Sequence, residues 1–219
     1  MKDIVILGAG GLAREVAFLI EEINKEKSSY NLLGFVVNDS TLQGAIIGKY
    51  KVVGDEDWLA NQNINAALGI GDPKINSKII SKFADKKDIF FPNLIHPKTV
   101  WDIDRIKLGK GNVICAGNIF TTDIEIGSFN IFNLNSTYGH DIKICDCSVF
   151  NPGLNISGGV SIGSRCLIGT GATILQYIEI GSDVLVGAGS VVNKNVTEGG
   201  AVAGMPARLL IKRIKEDTK

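Results

Sequence analysis

Residues 154–186 read LNISGGVSIGSRCLIGTGATILQYIEIGSDVLV, and an aliphatic side chain returns at every sixth position: Ile156, Ile162, Ile168, Ile174, Ile180 and Val186. The period extends outward without a slip. It begins at Leu108, passes Ile114, Phe120, Ile126, Phe132, Tyr138, Ile144 and Phe150, and ends at Val192. An α-helix repeats its apolar face near 3.6 residues and an alternating strand repeats at two, so neither gives this pattern. A coil of short parallel strands does, because each flat side needs one inward plug per hexad.

Taking every third plug separates three sides. One carries Leu108, Ile126, Ile144, Ile162 and Ile180, each followed by glycine except at Cys145. A recurrence of 18 on top of six predicts three hexads per turn and about five turns. A second apolar set lies two residues before many plugs, among them Ile124, Ile142, Leu154, Val160 and Val184. That is the spacing of same-face residues on a strand. Asn112, Asn118 and Asn130 interrupt this set and read as corner residues that bond the backbone.

The N-terminal part has another grammar. Residues 3–8 read as a buried strand, and Gly8-Ala9-Gly10-Gly11-Leu12-Ala13 follows as a glycine turn that opens a helix. Glycines there let a phosphate approach the backbone, and the helix start offers free N–H groups. A strand over 32–37 ends at Asn38-Asp39, where an acidic group would meet a ribose or base. The distance from Gly10 exceeds the usual dinucleotide spacing of about 20 residues. Another strand over 66–70 leads to Gly71-Asp72-Pro73 and a helix through Lys82. Residues 1–92 therefore predict a small Rossmann-like βαβ domain of four to five parallel strands. Its candidate ligand-binding residues are Gly8, Gly10, Gly11, Asn38, Asp39, Gly71 and Asp72. It is too short for a full dinucleotide fold, so a nucleotide diphosphate fits better than NAD.

Composition excludes several classes. Lysine plus arginine equals aspartate plus glutamate, 23 each, so nothing suggests a nucleic-acid surface or a polybasic membrane patch. No apolar run reaches the roughly 18 residues of a membrane span, and no signal peptide opens the sequence, so a cytoplasmic protein is expected. The four cysteines, Cys115, Cys145, Cys147 and Cys166, read as small residues of a tight coil. With two histidines in all, no zinc cluster is expected.

The Ile-Gly hexads resemble those of hexapeptide-repeat acyltransferases. The whole chain is similar to the sialic-acid O-acetyltransferase family, which includes bacterial nucleotide-amino-sugar N-acetyltransferases. Five stretches carry the resemblance in order: Gly8-Ala9-Gly10-Gly11, Ile95-His96-Pro97, Gly139-His140-Asp141, Asn151-Pro152-Gly153 and Ala203-Gly204-Met205-Pro206-Ala207. The resemblance implies a left-handed parallel β-helix over 93–198, a C-terminal cap over 199–219 and a homotrimer with active sites between subunits. Parallel crossovers are otherwise right-handed, so spacing alone would give the wrong hand.

The resemblance also implies chemistry. His140 would be the general base and Asp141 the carboxylate that orients its ring, which suits a side chain that titrates near neutrality. The backbone N–H of Gly158, 18 residues on, would meet the thioester carbonyl of acetyl-CoA. Gly171, Ala172, Gly187, Ala188 and Gly189 resemble segments along which the pantetheine arm lies. Pro206 and Arg208 resemble the tail near the adenine and its phosphates, and Leu209 to Lys215 reads as an amphipathic cap. His96 reads as a hinge or packing residue at the domain junction. Leu12, Asn76 and Val149 stand where the family often has histidine, arginine and histidine, near expected ligand surfaces.

The expected activity is acetyl-CoA-dependent N-acetylation of a nucleotide-linked amino sugar, without a metal. Rival readings are O-acetylation of sialic acid or another sugar hydroxyl, and a non-catalytic β-helix used for assembly or regulation. A γ-type carbonic anhydrase would need three zinc histidines, and the chain has two.

Overall fold

Lys2–Leu7 forms strand β1, whose last four residues are buried on both faces, as a central parallel strand requires. Helix α1 (Gly11–Glu26) follows directly and buries Ala13, Val16, Ala17, Leu19 and Ile20, the stripe of an amphipathic helix. Strands β2 (Tyr30–Val36), β3 (Ile46–Ile47) and β4 (Tyr50–Gly54), the short helix α2 (Glu56–Leu59), strand β5 (Ile64–Leu68), helix α3 (Pro73–Phe83) and strand β6 (Ile89–Phe90) complete the domain. The computed structural model describes residues 1–210.

The sheet order is β3-β4-β2-β1-β5-β6. Six strands are present rather than four or five. The extra ones are too short to show a period, and β3 runs antiparallel to β4 through a tight turn at Gly48-Lys49. The chain leaves β1 towards β2 and later returns to its other side with β5, so β1 marks the point where the winding reverses.

From Leu94 onward the chain winds into a three-sided coil. The first face stacks Leu94–Ile95, Val113–Ile114, Ile131–Phe132, Val149–Phe150, Leu167–Ile168, Leu185–Val186 and Ala201–Ala203 in parallel, and Arg208–Leu209 closes it antiparallel. The second face runs from Val100–Trp101 through Ile119–Phe120, Thr137–Tyr138, Asn155–Ile156 and Thr173–Ile174 to Val191–Val192. The third runs from Ile106–Leu108 to Glu179–Ile180. From Leu108 to Ile174 each plug pairs with the one 18 residues on, for example Ile144 with Ile162 and Phe150 with Ile168. The period breaks at both ends. Ile95 pairs with Ile114 across one extra residue, and Ile180 bridges to Val196 across two fewer.

The plugs fill the interior. Phe120, Tyr138, Phe132 and Phe150 are fully buried; Phe120 stacks on Tyr138 at 4.4 Å and Phe132 on Phe150 at 4.8 Å. The asparagines sit at corners and are buried, and their amides bond backbone as expected. Asn118 Nδ2 donates to the Cys115 and Asn133 carbonyls at 2.8 and 2.7 Å. At the corner between the third and first faces a ladder descends through Asn112, Asn130, Ser148 and Cys166. Asn112 Oδ1 accepts from Asn130 N, Asn130 Oδ1 from Ser148 N, and Ser148 Oγ from Cys166 N. Cys115, Cys147 and Cys166 are buried and Cys145 is exposed; all are free thiols.

The N-terminal domain covers the upper coils of the first face. Val113, Ile131 and Val149 point outward there yet are at most 1% exposed, because they join the apolar core that includes α1. Asn133 Nδ2 donates to Glu15 Oε2 of that helix at 3.3 Å. This corrects the expectation for Val149, which packs between the two domains instead of facing a ligand. His96 is buried in the same region, its Nδ1 accepting from the Lys98 N–H at 3.1 Å, and burial pushes its pKa down. It is a packing residue. The expected amphipathic cap begins in the closing strand at Leu209, and residues 211–219 lie outside the described residues.

Candidate active site

The three-residue corner between the second and third faces carries Gly139, His140 and Asp141. Asp141 adopts a left-handed φ of 58° and its N–H reaches the Thr122 carbonyl one coil above. This turn folds the carboxylate back onto the preceding side chain, and Asp141 Oδ2 lies 2.7 Å from His140 Nδ1. With Nδ1 donating to a carboxylate, Nε2 is left as the proton acceptor. His140 is half exposed, so that nitrogen can reach a substrate.

Gly158 lies one coil below, directly under the imidazole. A Cβ placed there would fall 2.6 Å from both Nε2 and Cε1 of His140, so any larger residue displaces the ring. The Gly158 carbonyl accepts from Tyr177 N, while among the described residues its own N–H meets no acceptor. A free backbone donor thus sits beside the base. Gly159, φ 70°, plays the same part for the next coil, its missing Cβ making room for the Tyr177 ring.

The other expected cofactor residues lie elsewhere. Gly171 and the stretch from Gly187 to Gly189 form the corner between the first and second faces, and Pro206 and Arg208 continue it beside Val191. Gly171, Ala188 and Gly189 are exposed, and open space surrounds Gly171 and Gly189. Ala172 is a correction: its methyl is fully buried among the plugs and lines no groove. Gly187 is a close-packing position, where a Cβ would meet Ala203 at 2.8 Å. Arg208 is exposed, and among the described residues its guanidinium bonds only the Ala207 carbonyl.

In the N-terminal domain a crevice of about 340 Å³ opens beyond the carboxyl ends of β1 and β2. Of the residues expected there, Gly8 and Asn38 line it. Asn38 and Glu56 exchange two hydrogen bonds, 2.8 Å from Nδ2 to Oε1 and 3.1 Å from the Glu56 N–H to Oδ1, and Lys82 pairs with the other Glu56 oxygen. Gly10 precedes α1 and Gly11 begins it, both exposed, and no side chain caps the helix start. Gly71 lies beside them against Leu12. The two acidic residues each engage their own turn through Oδ1. Asp39 accepts from Thr41 N and Oγ1, which holds its carboxyl below the usual range, and Asp72 caps α3 through Lys74 N and Ile75 N. Short carboxylates at turn positions satisfy nearby N–H groups first. Asn76 is buried inside α3, its amide bonded to the Ile70 carbonyl.

Sequence reasoning missed Glu56, Lys78, Lys82 and Tyr177. The lysines had a signal, because Lys74, Lys78 and Lys82 recur at four-residue spacing along one helix face. Tyr177 had one too, as the aromatic residue 18 positions after Gly159.

Residues 3–83 match the family described as the PglD N-terminal domain. Among curated proteins, none matches the chain. Among solved structures, the chain is similar to the acetyltransferase domain of PglB from Neisseria gonorrhoeae FA1090 in complex with acetyl coenzyme A. Identity is 28%, the TM-score 0.86, and the alignment covers 95% of this chain and 99% of that one. It is equally similar to PerB from Caulobacter crescentus in complex with CoA and GDP-perosamine: 28% identity, TM-score 0.85, 96% and 98% covered. A variant of the GDP-perosamine N-acetyl transferase from Caulobacter crescentus matches at 28% identity and TM-score 0.85, with 96% and 97% covered. The coil is therefore a left-handed parallel β-helix. Fold and likeness together define the class of the protein: an enzyme, an acyltransferase built on hexapeptide repeats. The Caulobacter crescentus relative is described as an N-acetyl transferase, and the sialic-acid O-acetyltransferase name is not confirmed. No helix among the described residues is long and apolar enough to cross a membrane.

Proposed function

We propose that the protein transfers an acetyl group from acetyl-CoA to the amino group of a nucleotide-linked amino sugar, in the cytoplasm. The observation that carries this reading is the base and donor held one coil apart, His140 with Asp141 above and the free Gly158 N–H below. Acetyl-CoA supplies an activated acyl carbon. Gly158 and the open corner at Gly171, Ala188 and Gly189 fit such a donor, because among the described residues the Gly158 and Ala188 N–H groups meet no acceptor and no side chain fills the space at Gly171 and Gly189. His140 Nε2 takes the proton of the attacking amine as the C–N bond forms, and the imidazolium passes it to the sulfur as the C–S bond breaks and CoA leaves as the free thiol. Asp141 holds the imidazolium that results. The Gly158 N–H stabilises the charge on the carbonyl oxygen, a contribution of a few kcal/mol when a donor is fixed in advance. The crevice beside Gly8 and Asn38, with Lys78 and Lys82 on one wall, takes the nucleotide, and the uncapped start of α1 favours its phosphates.

A second copy of the chain completes the site. His140, Asp141 and Gly158 stand on one corner of the β-helix, whereas Gly171, Ala188, Gly189, Pro206 and Arg208 stand on the next. The face between those corners is the uncharged one: Val100, Ile119, Thr137, Asn155, Thr173 and Val191 face outward from its strands. The N-terminal domain covers the upper coils of the first face, which is left open only lower down at Leu185, and the third presents Lys107, Glu125, Lys143 and Glu179 to solvent. A cyclic trimer that buries the second face brings one copy's His140 corner to the next copy's glycine corner.

Thiol release from acetyl-CoA, followed against UDP-, dTDP- and GDP-linked amino sugars and free sialic acid, tests the reading. Turnover with one nucleotide amino sugar is expected. Turnover with free sialic acid alone would sink the substrate class.

A further inference from the structure

We infer that Tyr177 is a positioning residue that holds the pantetheine arm of the thioester donor, one coil beyond the reacting carbonyl; this rests on the acetyltransferase reading above. Tyr177 lies on the His140 corner, and the column through Asp141, Gly159 and Tyr177 steps by 18 residues, about 4.8 Å per coil. The ring lies on Gly159, where a Cβ would fall 2.4 Å from Cδ1, and the Tyr177 N–H donates to the Gly158 carbonyl at 3.1 Å. The adjacent glycines therefore seat two rings, Gly158 the imidazole and Gly159 the phenol.

Tyr177 holds a left-handed φ of 59°, as do the matching corner residues of other hexads, among them Asp141, Arg165 and Asp183, so the coil itself sets this conformation. Phe129 has a similar φ of 62°, but it is buried and packs edge-on against Phe91 at 5.4 Å. Packing accounts for Phe129. Tyr177 is 72% exposed, with Leu175 exposed beside it, and among the described residues its hydroxyl has no partner. The ring is held at its base by Gly159 and open on its outer side, and an exposed aromatic face with a polar tip suits an amide-bearing chain. The remaining candidate donor contacts, at Gly171, Gly187 to Gly189, Pro206 and Arg208, lie at the same level or further toward the C-terminal end of the coil. An arm that starts at Gly158 and runs toward them passes Tyr177.

Steady-state kinetics of the full chain test this. Tyr177→Ala is expected to raise KM for acetyl-CoA about tenfold, with kcat and the KM for the sugar little changed. Tyr177→Phe is expected to keep most of the wild-type KM. S-acetyl-pantetheine as donor is expected to show the same relative rise, which places the contact on the arm. An unchanged KM for acetyl-CoA in Tyr177→Ala overturns the inference while wild-type turnover leaves the acetyltransferase reading intact. A rise confined to acetyl-CoA and absent with S-acetyl-pantetheine overturns it as well, as does dissociation of the assembly by light scattering, which makes Tyr177 an interface residue. If the wild-type chain releases no thiol and binds no acetyl-CoA by calorimetry, the underlying reading fails first.

Discussion

The imidazole of His140 is positioned from two sides, by the Asp141 carboxylate at Nδ1 and by the bare Cα of Gly158 beneath the ring. Each contact can be removed separately. His140→Ala deletes the base, and kcat is expected to fall at least about a hundredfold. Gly158→Ala keeps the base and moves it, since a methyl 2.6 Å from the ring forces it outward. Misplacing a reacting group by about 1 Å costs on the order of a hundredfold, so kcat is expected to fall by that order while a thermal melt stays near wild type. The position of this pair was legible, because an 18-residue period places Gly158 under His140 before any coordinates are known. The roles of Asp39 and Asp72 were not. A carboxylate after a strand reads the same whether or not it caps the N–H groups of its own turn, and here Oδ1 of each does.

At the scale of the element, the β-helix depends on columns of like residues, and its corners carry polar ones. Asn130 is fully buried; its amide donates to the Cys145 carbonyl at 2.9 Å and its oxygen accepts from Ser148 N at 2.8 Å. Asn130→Leu strands both backbone groups. A cost of about 3 kcal/mol is expected, and with it a loss of roughly 6–12 °C in melting temperature for a chain of this size. One coil corner also carries a two-pronged ion pair, Arg165 Nε to Asp183 Oδ1 at 3.0 Å and Nη2 to Oδ2 at 2.6 Å. The guanidinium lowers the Asp183 pKa below that of the unfolded chain. Its stabilisation is therefore present above the ordinary carboxylate value, near 4, and is lost as the pH falls through the lower folded value. The pair is partly exposed, so about 1 kcal/mol is expected. The difference in melting temperature between wild type and Asp183→Asn should be present at pH 7 and vanish at low pH. A difference that persists undiminished at acid pH would show that packing, not charge, holds this corner. The hexad gave these columns away. It could not give the breaks at Ile95 and Val196, because one extra or two missing residues at the ends of the coil disturb no interior plug.

For the whole molecule, the face that meets the N-terminal domain was written in the sequence as pairs: Val113-Ile114, Ile131-Phe132 and Val149-Phe150 are apolar at both positions, whereas the third face reads Lys143-Ile144 and Glu179-Ile180. Both sides of those first-face strands are buried, one on the plugs and one on the domain core that includes α1. The corners that carry His140 and Ala188 are adjacent on the prism, and on the proposed reading their separation within one chain makes a prediction that no single-chain site shares. Ala188 is exposed on its corner, and Ala188→Trp blocks that corner without touching His140. His140→Ala and Ala188→Trp are each expected to abolish turnover. If every site takes its base from one copy and its open corner from the next, trimers reassembled from an equal mixture contain sites with both parts intact. Random assembly around a cyclic trimer gives about one such site in four, so about a quarter of wild-type turnover is expected to return on mixing. Dissociating and reassembling the two inactive proteins together, then measuring thiol release, reads this directly. No recovery in trimers shown to be mixed by mass would place the whole site within one chain, since each copy would then carry one defect.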